Sequence, residues 1–179
     1  MQILLSSKEL RRMQEAIAAG EKEIETSFDL GLTKTNVKLY VVATTCCDNN
    51  IMSRTNLLGD RSRVYSQGFL IGKKKIEFPR LREGDNDAYL LVKNKLEKVQ
   101  FFSSETNMLY KLIPTSFRPI LQCSGTSMHK KEFVDRVEAD KLTGKVLDAG
   151  TGLGYTAIAA AKTAEEVITI EKDKNVLEV

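Results

Sequence analysis

Near the start of the chain, apolar residues recur at helical spacing. In KELRRMQEAIAAG, Leu10, Met13 and Ile17 fall on one face, Ser7 stands before them as the N-cap, and Gly20 follows as a stop. The period then changes to two. EIETSFDLGL places Ile24, Thr26, Phe28 and Leu30 on one side, and NVKLYVV repeats the pattern with Val37, Leu39 and Val41. The turn-rich GLTKTN between them predicts an antiparallel hairpin. Residues 43–67 carry no period and are rich in Thr, Asn, Ser, Asp and Arg, which reads as a long loop. Strand signals return in GFLIG and KKIEFPRL, then in AYLLVKN, LEKVQFFS and MLYKLIP, with turn chemistry between them. These connections are too short for crossovers, so the first region is predicted to be α+β with antiparallel strands.

Beyond His129 the pattern is of another kind. KKEFVDRVEADKL reads as a helix with Phe133 and Val137 one turn apart, and Gly144 ends it. KVLDAG is a short apolar strand, YTAIAAAKTA an Ala-rich helix, and EEVITIEK a second strand. DKNVLEV opens a further helix with Asp173 as its cap. Strand, glycine turn, helix, strand is a βαβ unit and implies a parallel pair. Two domains are therefore expected: an α+β accessory domain over residues 1–128, and over 129–179 the first βαβ unit of a Rossmann-like α/β domain, truncated.

Composition changes this picture little. Of 179 residues, 42% are hydrophobic and 28% charged, which is ordinary for a globular protein, and the formal charge of +3 is too mild to name nucleic acid by itself. No apolar run has the length of a membrane span, and MQILLSS is too short before KELRR to be a signal peptide. Cys46, Cys47 and Cys123 lack zinc-type spacing and fit a reducing cytoplasm, and with a single histidine a histidine-built metal site is excluded; no metal is expected. Cys123, and the aromatic pairs Phe101–Phe102 and Tyr110–Phe117, read as core.

The chemistry concentrates in VLDAGTGLGYTAIAAA. Gly150, Gly152 and Gly154 keep side chains away from the backbone, at the carboxyl edge of a sheet where ligands of open α/β folds bind. A turn of this kind is expected to offer free N–H groups beside a helix start. Glu171 ends the next strand about twenty positions on, where an acid typically holds ribose hydroxyls. A dinucleotide requires a third glycine where Tyr155 stands, and a P-loop requires Lys-Ser or Lys-Thr where Tyr155-Thr156 stands. S-adenosylmethionine has no phosphate and needs neither, and Asp148 supplies a carboxylate near its cationic amino-acid end. The plain alternative is a tight strand-to-helix turn that binds nothing.

With VLDAGTGLGYTAI followed by VITIEKDKNVLEV, the chain resembles the class I S-adenosylmethionine-dependent methyltransferases. More narrowly it resembles uncharacterised, predicted archaeal methyltransferases, through DNDAYLLVKNKLEKVQFFSSETNMLYKL and SGTSMHK as well. That narrower group usually carries Thr-Cys where this chain has Ala149-Gly150, and residues 44–67 have no counterpart. The resemblance implies that Asp148, Gly150, Thr151, Gly152 and Gly154 wall the methionine part of the cofactor. It further implies that Glu171 holds the ribose hydroxyls, that Lys172 and Asp173 border the adenine, and that His129 faces cofactor or acceptor.

The function so implied is methyl transfer from S-adenosylmethionine to an unidentified acceptor. The sheet of such an enzyme has more strands than the two found here. The expectation is thus an inactive fragment, with catalytic residues beyond Val179; a truncation, a split gene whose missing half is supplied by a separate chain, and an excised fragment of a longer chain all stay open. Two other functions compete. An aminopropyl transferase (polyamine synthase) uses a decarboxylated form of the same cofactor in the same fold. An RNA- or acceptor-binding accessory module is motivated by Lys73, Lys74, Lys75, Lys93, Lys95 and Lys98.

Overall fold

In a computed structural model of the protein, which describes residues 2–45, 63–128 and 130–178, Ser6 rather than Ser7 caps the first helix. The Ser6 hydroxyl accepts the Glu9 N–H at 3.1 Å and opens α1 (Ser7–Ala18) directly out of β1 (Leu4–Ser6). Ser7 is buried instead: its hydroxyl donates to the Asp87 carbonyl and accepts the Asp87 N–H. Gly20, with φ +82°, ends the helix as the pattern required. Its N–H reaches the Ile17 carbonyl while Glu21 N–H reaches Ala16, which satisfies the last carbonyls.

The described residues form two compact units, Met1–Lys98 and Val99–Val179. In the first, β2 (Glu23–Thr26), β3 (Thr35–Thr45), β4 (Arg63–Ile71) and β5 (Lys74–Glu77) make an antiparallel sheet in chain order. A second antiparallel sheet has the order β1-β6-β7, with β6 (Ala88–Val92) and β7 (Lys95–Lys98). Register sets the core: Leu39 lies opposite Phe69 and Phe69 opposite Ile76, so one face of the larger sheet meets Leu5, Leu10 and Met13. Each such buried side chain contributes about 1.5–3 kcal/mol.

Three expectations need correction in this unit. Residues 43–45 and 63–67 are not loop but the outer ends of β3 and β4, because backbone pairing (Thr44 with Val64, Thr45 with Arg63) needs no apolar period. The middle of that segment, with Cys46 and Cys47, lies outside the described residues. The strand through Ile24 stops at Thr26, where Asp29 gathers the Leu32 and Thr33 amides into a turn with Leu30 at φ +57°. LEKVQFFS is not one strand: β7 ends at Lys98, and the next strand begins at Gln100 in a different sheet.

The second unit opens with an antiparallel sheet of order β11-β10-β9-β8: β8 (Gln100–Ser103), β9 (Met108–Ile113), β10 (Ile120–Cys123) and β11 (Thr126–Ser127). Then come α2 (Lys131–Asp140), β12 (Lys145–Ala149), α3 (Tyr155–Ala160) and β13 (Glu166–Ile170). β12 and β13 pair in parallel, from Lys145 opposite Glu166 to Ala149 opposite Ile170. The chain is therefore mixed α and β, mostly antiparallel strand with few helices among the described residues, and the one parallel pair of strands among them belongs to the strand-turn-helix-strand unit read from the sequence. The change to parallel pairing falls inside the second unit.

Here too some residues sit differently from expectation. α2 buries Val134 and leaves Phe133 54% exposed. Of the aromatic pairs, Phe101 and Tyr110 stack in the interior at 5.0 Å between centroids, while Phe102 and Phe117 are exposed. Cys123 is half-buried beside Met108. DKNVLEV forms a short 3-10 turn, Val176–Glu178, whose Val176 packs with Tyr110 and Leu121; Leu153 from the glycine turn joins the same cluster. The antiparallel sheet is thus the support on which the glycine turn and its following loop rest. Among the described residues no helix is long and apolar enough to cross a membrane.

Candidate functional site

The turn after β12 is built by backbone conformation. Gly150, Gly152 and Gly154 have φ of +105°, +50° and +75°, the left-handed region that side-chain-bearing residues adopt at a cost. Packing is not the reason for Gly150, since a Cβ there would meet no atom within 4 Å. At Gly154 it would meet only the Ile158 side chain, at 3.9 Å. The backbone over Gly150 is therefore open to a ligand.

Four of the turn's N–H groups are already used. Gly150 and Thr151 both donate to the Ile170 carbonyl (2.8 and 3.0 Å), Gly154 donates to Thr151 (2.7 Å), and Gly152 donates to Glu171 Oε2 at 2.9 Å. The turn closes on the end of β13 and spends its donors on itself. Glu171 is the strap: its Oε1 accepts the Asp173 N–H at 3.0 Å, so one carboxylate fixes both the turn and the loop beyond β13.

Asp148 and Glu171 stand at the tips of adjacent strands. Asp148 accepts the Thr156 hydroxyl on Oδ1 (2.9 Å) and the Thr169 hydroxyl on Oδ2 (3.0 Å). Because Thr169 gives its proton to Asp148, the 2.5 Å contact between the Thr151 and Thr169 hydroxyls has Thr151 as donor. Among the described residues neither carboxylate is held in an ion pair. Two carboxylates without an ion-pair partner among the described residues, beside turn amides that are largely used, favour a cation or a hydroxyl-bearing ligand.

The sequence-derived site residues separate into two groups. Asp148, Gly150, Thr151, Gly152, Gly154 and Glu171 come together at the turn. Lys172 is exposed next to it. Asp173 points inward, buried: the Ser103 hydroxyl first, then against burial the Asn175 amide groups and the Thr106 hydroxyl, hold its carboxyl below the usual range. His129 lies outside the described residues. Thr156 and Thr169 were not singled out in the sequence; Thr169 is the register partner of Asp148 in the observed parallel pairing. Tyr155, which displaces the third glycine of a dinucleotide turn, donates its hydroxyl to the Pro119 carbonyl at 2.7 Å and carries Arg118 5.2 Å from its ring centroid. Burial pushes its phenol pKa up, partly offset by Arg118. Among the described residues no three His, Cys, Asp or Glu side chains gather to hold a metal ion.

No protein-family model matches the chain. Over 81 residues it is 43% identical to an uncharacterised protein of Methanocaldococcus jannaschii. The match takes in 40% of this chain and 28% of that relative, so the chain spans under a third of the relative's length.

Proposed function

We propose that the turn between β12 and α3 binds S-adenosylmethionine, and that the protein to which this Rossmann-like unit belongs transfers a methyl group to an acceptor. The observation that carries this reading is the glycine turn itself: open backbone at Gly150, with two carboxylates, Asp148 and Glu171, that make no ion pair among the described residues at the strand tips on either side. The residues fit the cofactor's chemistry. An amino-acid end with an ammonium group suits Asp148, whose oxygens each accept one hydrogen bond and retain lone pairs. A ribose diol suits Glu171, which is already oriented by two backbone N–H groups. A pyrophosphate would meet the two carboxylates and turn amides at Gly150, Thr151, Gly152 and Gly154 that already have acceptors.

Bound S-adenosylmethionine supplies an electrophilic methyl group on a sulfonium. The chain's contribution at this site is to hold and orient: the Thr151–Thr169–Asp148 chain fixes the carboxylate, and the Glu171 strap fixes the turn in the conformation that leaves Gly150 open. Pre-set orientation is the main lever a protein has over an in-line displacement.

Amide NMR of the isotope-labelled chain, titrated with S-adenosylhomocysteine into the millimolar range, tests the reading. The amides of Gly150, Gly152, Gly154 and Glu171 are expected to shift together, with no matching response to NAD. Absence of any shift, or an equal response to both ligands, refutes it.

A further inference from the structure

We infer that the unit Met1–Lys98 carries a second site, a cleft that takes one nucleotide of single-stranded RNA. The inference does not rest on the reading of the glycine turn. It begins at Gly68. A Cβ there would lie 1.9 Å from the Ile76 carbonyl oxygen and 2.8 Å from the Tyr40 hydroxyl, so only glycine lets β5 and the Tyr40 side chain approach β4 this closely. Tyr40 is the register partner of Gly68, and Gly68 that of Glu77. Tyr40, Val42, Ser66, Lys75 and Glu77 consequently share the face of the sheet opposite the Phe69 core. Phe78-Pro79, Asn94 of the β6–β7 turn, and Lys95 and Leu96 of β7 wall this face into a cleft of about 570 Å³. That volume lies within the range of about 300–1,000 Å³ usual for small-ligand sites.

The groups in the cleft define the ligand. Lys75 and Lys95 come from different sheets and have no carboxylate partner among the described residues, whereas Lys34, Lys38 and Lys98 of the same unit are held by Glu25, Glu23 and Asp87. Two free ammonium groups at one opening call for an anion with several oxygens. Lys75 also lies 5.3 Å from the Tyr40 ring centroid, so cation and aromatic surface are offered together, with Phe78 as a further ring. Glu77, which accepts the Ser66 hydroxyl at 2.7 Å, adds an acceptor beside a hydroxyl, and Asn94 an amide. A flat base against the rings, its phosphate on the lysines and the 2′-hydroxyl on Glu77 use every one of these groups. Lys73 in the β4–β5 turn and Lys93 in the β6–β7 turn, both exposed, add positive charge close in sequence to Lys75 and Lys95. That arrangement suits a strand passing through rather than an isolated nucleotide. Lys98, counted with the basic set in the sequence, is withdrawn from it by its pairing with Asp87.

Fluorescence anisotropy of a labelled single-stranded RNA decamer on the 179-residue chain tests this. Binding is expected to weaken steeply between about 50 and 200 mM salt. The double variant Lys75→Gln/Lys95→Gln, both exposed side chains, is expected to lose about tenfold in affinity and to flatten the salt slope by about 1–2. Tyr40→Leu is expected to lose about tenfold at unchanged slope. Lys8→Gln, exposed on α1, should bind as wild type. Uridine monophosphate competing only at far higher concentration than the decamer supports a strand as ligand, and competition at equal concentration overturns the strand. The cleft is refuted if Lys75→Gln/Lys95→Gln binds as wild type, if duplex RNA or DNA of the same sequence binds as tightly, or if the wild-type chain does not bind at low salt.

Discussion

Gly68 and Asp29 are the residues at which a single atom decides the local structure. Replacing Gly68 with Ala forces a methyl group into the Ile76 carbonyl, a backbone atom that cannot swing away. We expect Gly68→Ala to destabilise the first unit by about 2–4 kcal/mol, read by urea unfolding. At Asp29, burial acts to raise the carboxyl pKa. The Ser27 and Thr33 hydroxyls with the Thr33 and Leu32 amides outweigh it and bring the value down to about 2. A carboxyl whose pKa is lower folded than unfolded stabilises the fold above its unfolded value. That contribution is lost as pH falls through the folded one. The Asp29 turn should thus loosen between about pH 4 and 2. A carbonyl-detected NMR titration should give a midpoint near 2, and a midpoint near the ordinary Asp value would refute the network.

At the scale of elements, α1 depends on its ends and on one face. Ser6→Ala removes the acceptor of the Glu9 N–H and should cost about 1 kcal/mol, whereas Leu10→Ala should cost about 2–5 kcal/mol because Leu10 is fully buried in the core. Thermal melts of the two variants check the order. β7 is tied to the loop before β6 by Lys98, whose ammonium lies 2.5 Å from buried Asp87. The hydrogen bond to Asp87 raises the Lys98 pKa despite partial burial. A raised folded pKa means the stabilisation from the Lys98 charge is whole below the unfolded value and disappears as pH climbs through the folded one, so titration of Lys98 breaks the pair on the alkaline side. Lys98→Met removes one ammonium from a buried carboxylate and should cost about 2–3 kcal/mol in equilibrium unfolding.

For the molecule as a whole, the telling feature is how unequally its strands are covered. Leu147, Ile168 and Ile170 are 63%, 51% and 56% exposed, and all three lie on the face of the β12–β13 pair turned away from α3. Among the described residues these two strands pair only with each other. Parallel strands are ordinarily covered on both faces. The exposed apolar area, at about 25 cal/mol per Å², forgoes several kcal/mol of burial. In contrast β3 is paired on both sides and its Val37 and Leu39 are buried. Hydrogen exchange should therefore find the amides of Val167, Ile168, Thr169 and Ile170 opening well before those of Val37, Leu39 and Val41. Equal protection in the two strands would mean that the parallel pair is stabilised by something other than burial.

The helical spacing around Leu10 and Met13, the alternation through Val37 and Leu39, and the glycines with Asp148 and Glu171 were legible in the sequence. Each depends on neighbours a few positions away, through the helix period, the strand period and the φ that only glycine takes easily. What local pattern cannot carry is the choice among partners. Ser6 rather than Ser7 caps α1 because Asp87, eighty residues from Ser7, claims the Ser7 hydroxyl. The turn amides are spent because parallel register brings the Ile170 carbonyl and Glu171 beneath them. Lys75 and Lys95 share a cleft, and Lys98 does not, because sheet packing sets which ammonium finds a carboxylate. Side-chain types are written along the chain, but hydrogen bonds and charges act over a few ångströms in space, and only the tertiary structure fixes which groups lie within that reach.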